Sequence, residues 1–131
     1  MPITVEMLPD EPIIIVTLAG RITTDDTVDF ITASADLAQQ TGDTIYRITD
    51  LTDAEIALPD MLPVITTIAA DTPASIRDPR FCGIFVGNAR TSRLYTDIIR
   101  TQVFNGEELP FFRTVDEALQ FVQGQRKQIT A

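Results

Sequence analysis

The stretch Ile45-Tyr46-Arg47-Ile48-Thr49-Asp50-Leu51-Thr52-Asp53, followed by Ala54 to Leu58 and then Pro59-Asp60-Met61-Leu62, decides the fold. Ile45 to Leu51, with the apolar Ile45, Tyr46, Ile48 and Leu51, reads as a buried strand. Thr52 to Leu58 reads as a loop, and a helix follows with Met61, Leu62, Ile65, Ile68 and Ala69 as its inner face. Proline is tolerated only in the first turn of a helix, so Pro63 fixes where this one begins. With Asp60 as N-cap, Pro63 falls at the third helical position, and the aspartate contributes about 1 kcal/mol as a cap. A strand, a loop and a helix in this order put the chemistry outside the carboxyl end of the strand, where open α/β sheets place their sites.

Upstream, Ile3 to Leu8 and the β-branched run Ile13 to Leu18 flank Pro9-Asp10-Glu11-Pro12, which predicts an antiparallel hairpin closed by Gly20. A threonine of Thr23-Thr24 caps the next helix, and Asp25 and Asp26 suit its positive end. Val28, Ile31, Ala35 and Ala38 recur at helical spacing as its apolar stripe, and Gly42 is its expected stop. Asp25, Asp26, Asp29 and Asp36 then form the wet face of that helix.

Downstream, Asp71 to Arg80 is a loop with two prolines, and Phe81 to Val86 is a buried strand closed by Gly87-Asn88. Arg90 to Phe104 reads as a helix. Leu109 to Arg113 is a short last strand. Thr114-Val115-Asp116-Glu117 is a capping box opening a final helix lined by Val115, Ala118, Leu119 and Val122, with Gly124 as its stop. Residues 1–124 make one domain and 125–131 a frayed tail. The element order β-β-α-β-α-β-α-β-α predicts a single mixed, mostly parallel five-stranded α/β sheet with about four helices.

Composition narrows the function. The chain of 131 residues has 44% hydrophobic and 22% charged side chains, ordinary for one globular domain. It has no histidine, which removes the commonest general base and metal ligand. Its single cysteine, Cys82, lies in an apolar run and is expected in the core. The net charge of −9 is opposite to what nucleic acid attracts. The charge is also unevenly spread: residues 1–76 carry 13 acids and 2 bases, a balance of −11, and the remainder 6 acids and 8 bases, a balance of +2. No apolar run is long enough to cross a bilayer, and Met1-Pro2-Ile3-Thr4-Val5-Glu6 is unlike a signal peptide, so a cytoplasmic protein is expected. Nucleotide-binding glycine motifs are absent. Gly87-Asn88 before Arg90 and Arg93 is the nearest approach to an anion site, and an ordinary strand-to-helix turn explains it.

The element order, together with Ile13 to Gly20, Tyr46 to Thr52, Gly83 to Gly87 and Phe111 to Leu119, resembles the STAS fold of anti-sigma factor antagonists, and more closely the SpoIIAA-like family. The antagonists carry Asp-Leu-Ser at the end of a strand. Some eight residues after that Asp they carry Asp-Ser-Ser/Thr-Gly at the start of a helix, whose second hydroxyl residue is phosphorylated. Asp50-Leu51-Thr52 matches the first motif. Leu58-Pro59-Asp60 falls on the second and departs from it, with Asp60 at the phosphoacceptor position and Leu58 at the preceding acid. Asp60 either presents a permanent charge there or marks loss of the switch, and capping explains it without a switch.

The resemblance implies a non-enzymatic regulatory module that binds a protein, without cofactor or metal and without the usual phosphoserine switch. Its expected surface is Asp50, Thr52, Asp53 and Asp60, with the carboxylates supplying charge and Thr52 the nearby hydroxyl open to modification. A partner with a basic surface suits the acidic front half, and homodimerisation is compatible with it. A response-regulator receiver is the weaker reading, because the acidic pair and the lysine it requires are missing. The alternative from another class is a carrier of a small hydrophobic lipid or acyl ligand. Ile14, Ile65, Ile68, Phe81, Phe85, Phe111, Phe112 and Phe121 are ample for a pocket, and equally for an ordinary core.

Overall fold

The computed structural model describes residues 3–70, 72–76, 78–88 and 110–130. Five strands form one sheet in the order β1-β2-β3-β4-β5, with β1 Ile3–Met7, β2 Ile13–Arg21, β3 Ile45–Glu55, β4 Phe81–Val86 and β5 Phe111–Phe112. β1 runs antiparallel to β2, from Ile3 opposite Leu18 to Met7 opposite Ile14. The remaining neighbours are parallel. The hairpin link turns at Asp10, whose φ of 61° is left-handed, a conformation aspartate adopts more readily than most side chains.

Alternation along the strands sends side chains into two cores. Ile14, Val16 and Leu18 of β2, with Ile45 and Leu51 of β3 and Phe81 and Phe85 of β4, meet α1 (Thr24–Ala38) and α2 (Leu58–Ile68). Ile13, Ile15, Tyr46, Ile48, Ile84 and Val86 point the other way and meet α3 (Val115–Thr130). Burial on both faces explains why β2 opens as a near-continuous apolar run and why β3 carries apolar residues on both of its faces. The helix expected over Arg90 to Phe104, with Leu109 of the last expected strand, lies outside the described residues.

Thr23 caps α1 through a reciprocal box with Asp26: Asp26 N donates to Thr23 Oγ1 at 3.4 Å and Thr23 N donates to Asp26 Oδ2 at 2.9 Å. Its buried face is Thr27, Phe30, Ile31, Ser34 and Ala38, and Val28 is 47% exposed, contrary to the expected stripe. Two polar residues take the inner face because their hydroxyls are satisfied within the helix. Thr27 donates to Thr23 O at 3.0 Å and Ser34 to Phe30 O at 2.7 Å. The helix ends at Ala38, ahead of Gly42, where Arg80 gathers carbonyls of the last helical residue and of the loop that follows. Its guanidinium donates to Ala38 O at 2.7 Å, to Asp43 O at 3.1 Å and to Thr41 O.

Four further expectations are corrected. Leu62, assigned to the inner face of α2, is 69% exposed, and Val64 is buried in its place beside the expected Ile65. The stripe Met61, Val64, Ile65, Ile68 has the i, i+3, i+4, i+7 spacing of one helix face, and Leu62 is turned about 100° from Met61. Pro63 lies inside α2, beyond its first turn. Gly124 does not stop α3, which continues to Thr130, since an exposed glycine in a helix costs about 1 kcal/mol and does not by itself end it. Arg126 beyond it pairs with Glu11 at 3.3 Å. Cys82 is exposed: it shares the face of Ile84 and Val86 without sharing their cover. Thr114 accepts from Glu117 N at 3.1 Å, as the capping box requires.

Candidate functional site

β3 does not give way to a loop after Leu51. It runs on to Glu55, because β2 stays beside it as far as Arg21, with Ala19 opposite Asp53, Gly20 opposite Ala54 and Arg21 opposite Glu55. Between Thr17 opposite Asp50 and Ala19 opposite Asp53, β3 holds one residue more than β2. That surplus is a β-bulge at Leu51-Thr52, a device that re-aims side chains near a strand end. Gly20, at φ 72°, supplies the left-handed backbone on the facing strand.

The bulge folds Thr52 back on Asp50. Asp50 Oδ1 accepts from Thr52 N at 3.0 Å and from Thr52 Oγ1 at 2.7 Å. Asp50 is half-buried, while Thr52 and Asp53 are exposed. Asp50 and Thr52 are therefore one hydrogen-bonded unit on a strand, with Asp53 next to it.

Asp60 is placed elsewhere. The N-cap of α2 is Ala57, which makes no side-chain capping bond, and Pro59 occupies the first turn. The proline ring presets the backbone there, so the helix begins earlier than an Asp60 cap requires. Asp60 thus sits inside the first turn, where a negative charge suits the helix dipole. Its Oδ2 pairs with Arg21 NH2 at 3.1 Å, linking the end of β2 to α2. Among the described residues no hydrogen bond joins Asp60 or Asp53 to the Asp50–Thr52 unit. The described residues contain no cluster of ligand-type side chains able to hold a metal ion. No helix among them is long and apolar enough to cross a membrane.

A second feature lies on the other side of Leu51. Between the sheet and helices α1 and α2 is a cavity of about 50 Å³, counted as space open to the centre of a water-sized sphere. Its walls include Leu18, Phe30, Leu51, Met61, Ile65 and Phe85. Among the described residues one charged side chain lines it: Arg47, from the middle of β3, only 4% exposed. Its guanidinium carbon lies 4.9 Å from the ring centre of Phe81 and 5.7 Å from that of Phe30. It donates to the carbonyl of Ala74. Burial pulls the guanidinium down to a pKa of about 10, and the negative charge of Asp78 works in the opposite direction. At neutral pH Arg47 is therefore a buried cation.

The surrounding loop is built to receive it. Ala74 has a φ of 66°, unusual for a residue with a Cβ, and it is held from both sides. Its N–H donates to Asp78 Oδ2 at 2.8 Å and its carbonyl accepts from Arg47. Asp78 Oδ1 also accepts from Arg80 N at 2.9 Å. The carboxylate is thus spent on backbone N–H groups. Sequence reasoning missed Arg47 as a site residue, although a lone arginine among Ile45, Tyr46 and Ile48 was the available signal.

No protein-family model matches the chain, and no curated protein matches it significantly. Two of the solved structures similar to it share its architecture over most of both chains. One is an uncharacterized protein of the DUF3478 family with a SpoIIAA-like fold, from Shewanella loihica PV-4. It is 17% identical, with 91% of this chain and 90% of that chain covered and a TM-score of 0.59. The other is an anti-sigma factor antagonist from Mycobacterium paratuberculosis, 15% identical, with 92% of this chain and 94% of that chain covered and a TM-score of 0.51. At these identities the likeness is one of architecture, and the chain has the STAS, or SpoIIAA-like, fold.

Proposed function

We propose that this protein is a regulatory protein-binding module that acts by presenting a surface rather than by catalysing a reaction. The working surface is the end of β3, with Asp50, Thr52 and Asp53, flanked by Asp60 on α2. The observation that carries this reading is the Asp50–Thr52 unit: a carboxylate and a hydroxyl held to each other on a bulged strand, next to an exposed acid. A rigid acidic surface of this kind suits a partner with a basic face, as does the balance of −11 over residues 1–76. The fold it shares with an anti-sigma factor antagonist supports the same role.

The phosphoserine switch is absent on this reading. The position that resembles the antagonists' phosphoacceptor is a carboxylate already paired with Arg21. Modification, where it occurs, falls on Thr52. A phosphate there stands against Asp50 and breaks their hydrogen bond by like-charge repulsion. The test is partner capture with the full chain, followed by cross-linking. Thr52→Glu and Asp53→Lys are expected to abolish capture, and cross-links are expected at the end of β3. Undiminished capture by both variants overturns the surface.

A second reading, a carrier of a small hydrophobic ligand, is favoured by the cavity beside Arg47. Native mass spectrometry tests it directly. The expected sign is a non-covalent mass that disappears on denaturation.

A further inference from the structure

Arg47 offers more hydrogen-bond donors than the protein uses. A guanidinium has five N–H groups in a planar fork. Among the described residues, the carbonyl of Ala74 is its one hydrogen-bond acceptor. The faces of Phe30 and Phe81 receive the cation without accepting those N–H groups in the plane of the fork. Asp78 lends charge from a distance while its two oxygens accept from the backbone at Ala74 and Arg80. A buried group of this kind is unfavourable unless something completes it. The open donors belong to a residue that lines an apolar cavity.

We propose that this cavity binds a monocarboxylic acid with a short or medium apolar chain, its carboxylate seated on the free N–H groups of Arg47. The inference rests on the carrier reading and names its ligand class and anchor. The planar fork matches the two oxygens of a carboxylate, which accept in parallel from two N–H groups. Charge sets the class. Among the described residues Arg47 is the one cation on the lining, so a monoanion leaves the buried pair neutral, whereas a dianionic phosphate leaves a negative charge without a partner. Size sets the length. The cavity exceeds the roughly 10–15 Å³ that one water needs by the same measure, and takes a head group with the first carbons of a chain. The tail then runs along Ile56, Met61 and Ile68, half-buried residues where the apolar lining reaches the surface.

Isothermal titration of the full chain with octanoate, 1-octanol and octyl phosphate tests the inference. Octanoate is expected to bind on the order of 10- to 100-fold more tightly than 1-octanol, the range of a charge-assisted hydrogen-bonded pair. Octyl phosphate is expected to bind more weakly than octanoate. In Arg47→Met the preference for octanoate over 1-octanol is expected to vanish, and in Arg47→Lys to survive in part. Equal binding of octanoate and 1-octanol overturns the anchor while leaving the carrier reading standing. No binding of any of the three overturns both. A preference for octanoate that persists in Arg47→Met, or tighter binding of octyl phosphate, overturns the assignment. The wild-type comparison decides the question even where the methionine variant fails to fold.

Discussion

The guanidinium of Arg47 lies over the ring of Phe81, 4.9 Å from its centre, on adjacent parallel strands. The arrangement eases the burial of a charge without removing its cost. Replacing the cation with an apolar chain of similar length should therefore stabilise the ligand-free protein. Arg47→Met is expected to gain about 1–2 kcal/mol at pH 7 in urea denaturation, the lower part of the range for replacing buried charges. A loss of stability would mark Arg47 as a purely structural anchor.

The same residue predicts a pH dependence. The folded pKa of about 10 lies below the value of an ordinary, solvated arginine. Between those values the unfolded chain holds the proton more tightly, so raising the pH favours the folded state. Below pH 10 both states are protonated and the full burial cost is present. The wild type is expected to recover on Arg47→Met by about 1.4 kcal/mol per pH unit above pH 10, and by nothing between pH 7 and 9. Paired denaturation curves at pH 8, 10 and 11 check this, because the variant cancels the titration of every other group.

Arg80 supports a different prediction. Its guanidinium holds the carbonyls of Ala38, Thr41 and Asp43 at the end of α1, a helix without a basic residue in its last turn. Arg80→Ala is expected to cost about 2–3 kcal/mol, since several partly buried carbonyls lose a charged donor together. Amide hydrogen exchange should locate the loss in the last turn of α1 and the loop to Thr44. Uniform exchange across the sheet would refute that assignment.

The Arg21–Asp60 pair should matter little to stability. Arg21 is 68% exposed and Asp60 28%, and exposed pairs contribute about 0–1 kcal/mol. Asp60→Asn is expected to shift the urea midpoint barely, and to weaken the capture of a basic partner. A variant that unfolds would show that the contact is structural rather than recognitional.

Much of the architecture was legible in the residues. The apolar runs at Ile13 and Ile45 announce strands buried on both faces, and the hairpin and parallel order follow from their spacing. What escaped was set partly by partners far away in the chain and partly by local bonds that hydropathy does not see. β3 continues to Glu55 because β2 lies beside it, and no local signal at Thr52 to Glu55 reveals that. The inner face of α1 includes Thr27 and Ser34 because carbonyls one turn earlier satisfy them, so a hydropathy stripe selects Val28 instead. Asp60 has the chemistry of a cap, yet Pro59 moves the helix start ahead of it. Arg47 is visible as an oddity in its strand. Its aromatic neighbours, Phe30 and Phe81, come from the flanking elements and are assembled only by the fold.

The order of strands across the sheet repeats their order along the chain. No strand has to be threaded between two that have already paired, so the sheet can grow by accretion at one edge as the chain emerges. Each addition pairs strands that are neighbours in sequence, which keeps the loops as short as a mostly parallel sheet allows. The exception is α3, which follows all five strands and packs on Ile13 and Ile15 of an early strand. Completion of the second core therefore waits for α3, and until that helix is made the side chains it covers remain open to other hydrophobic surfaces.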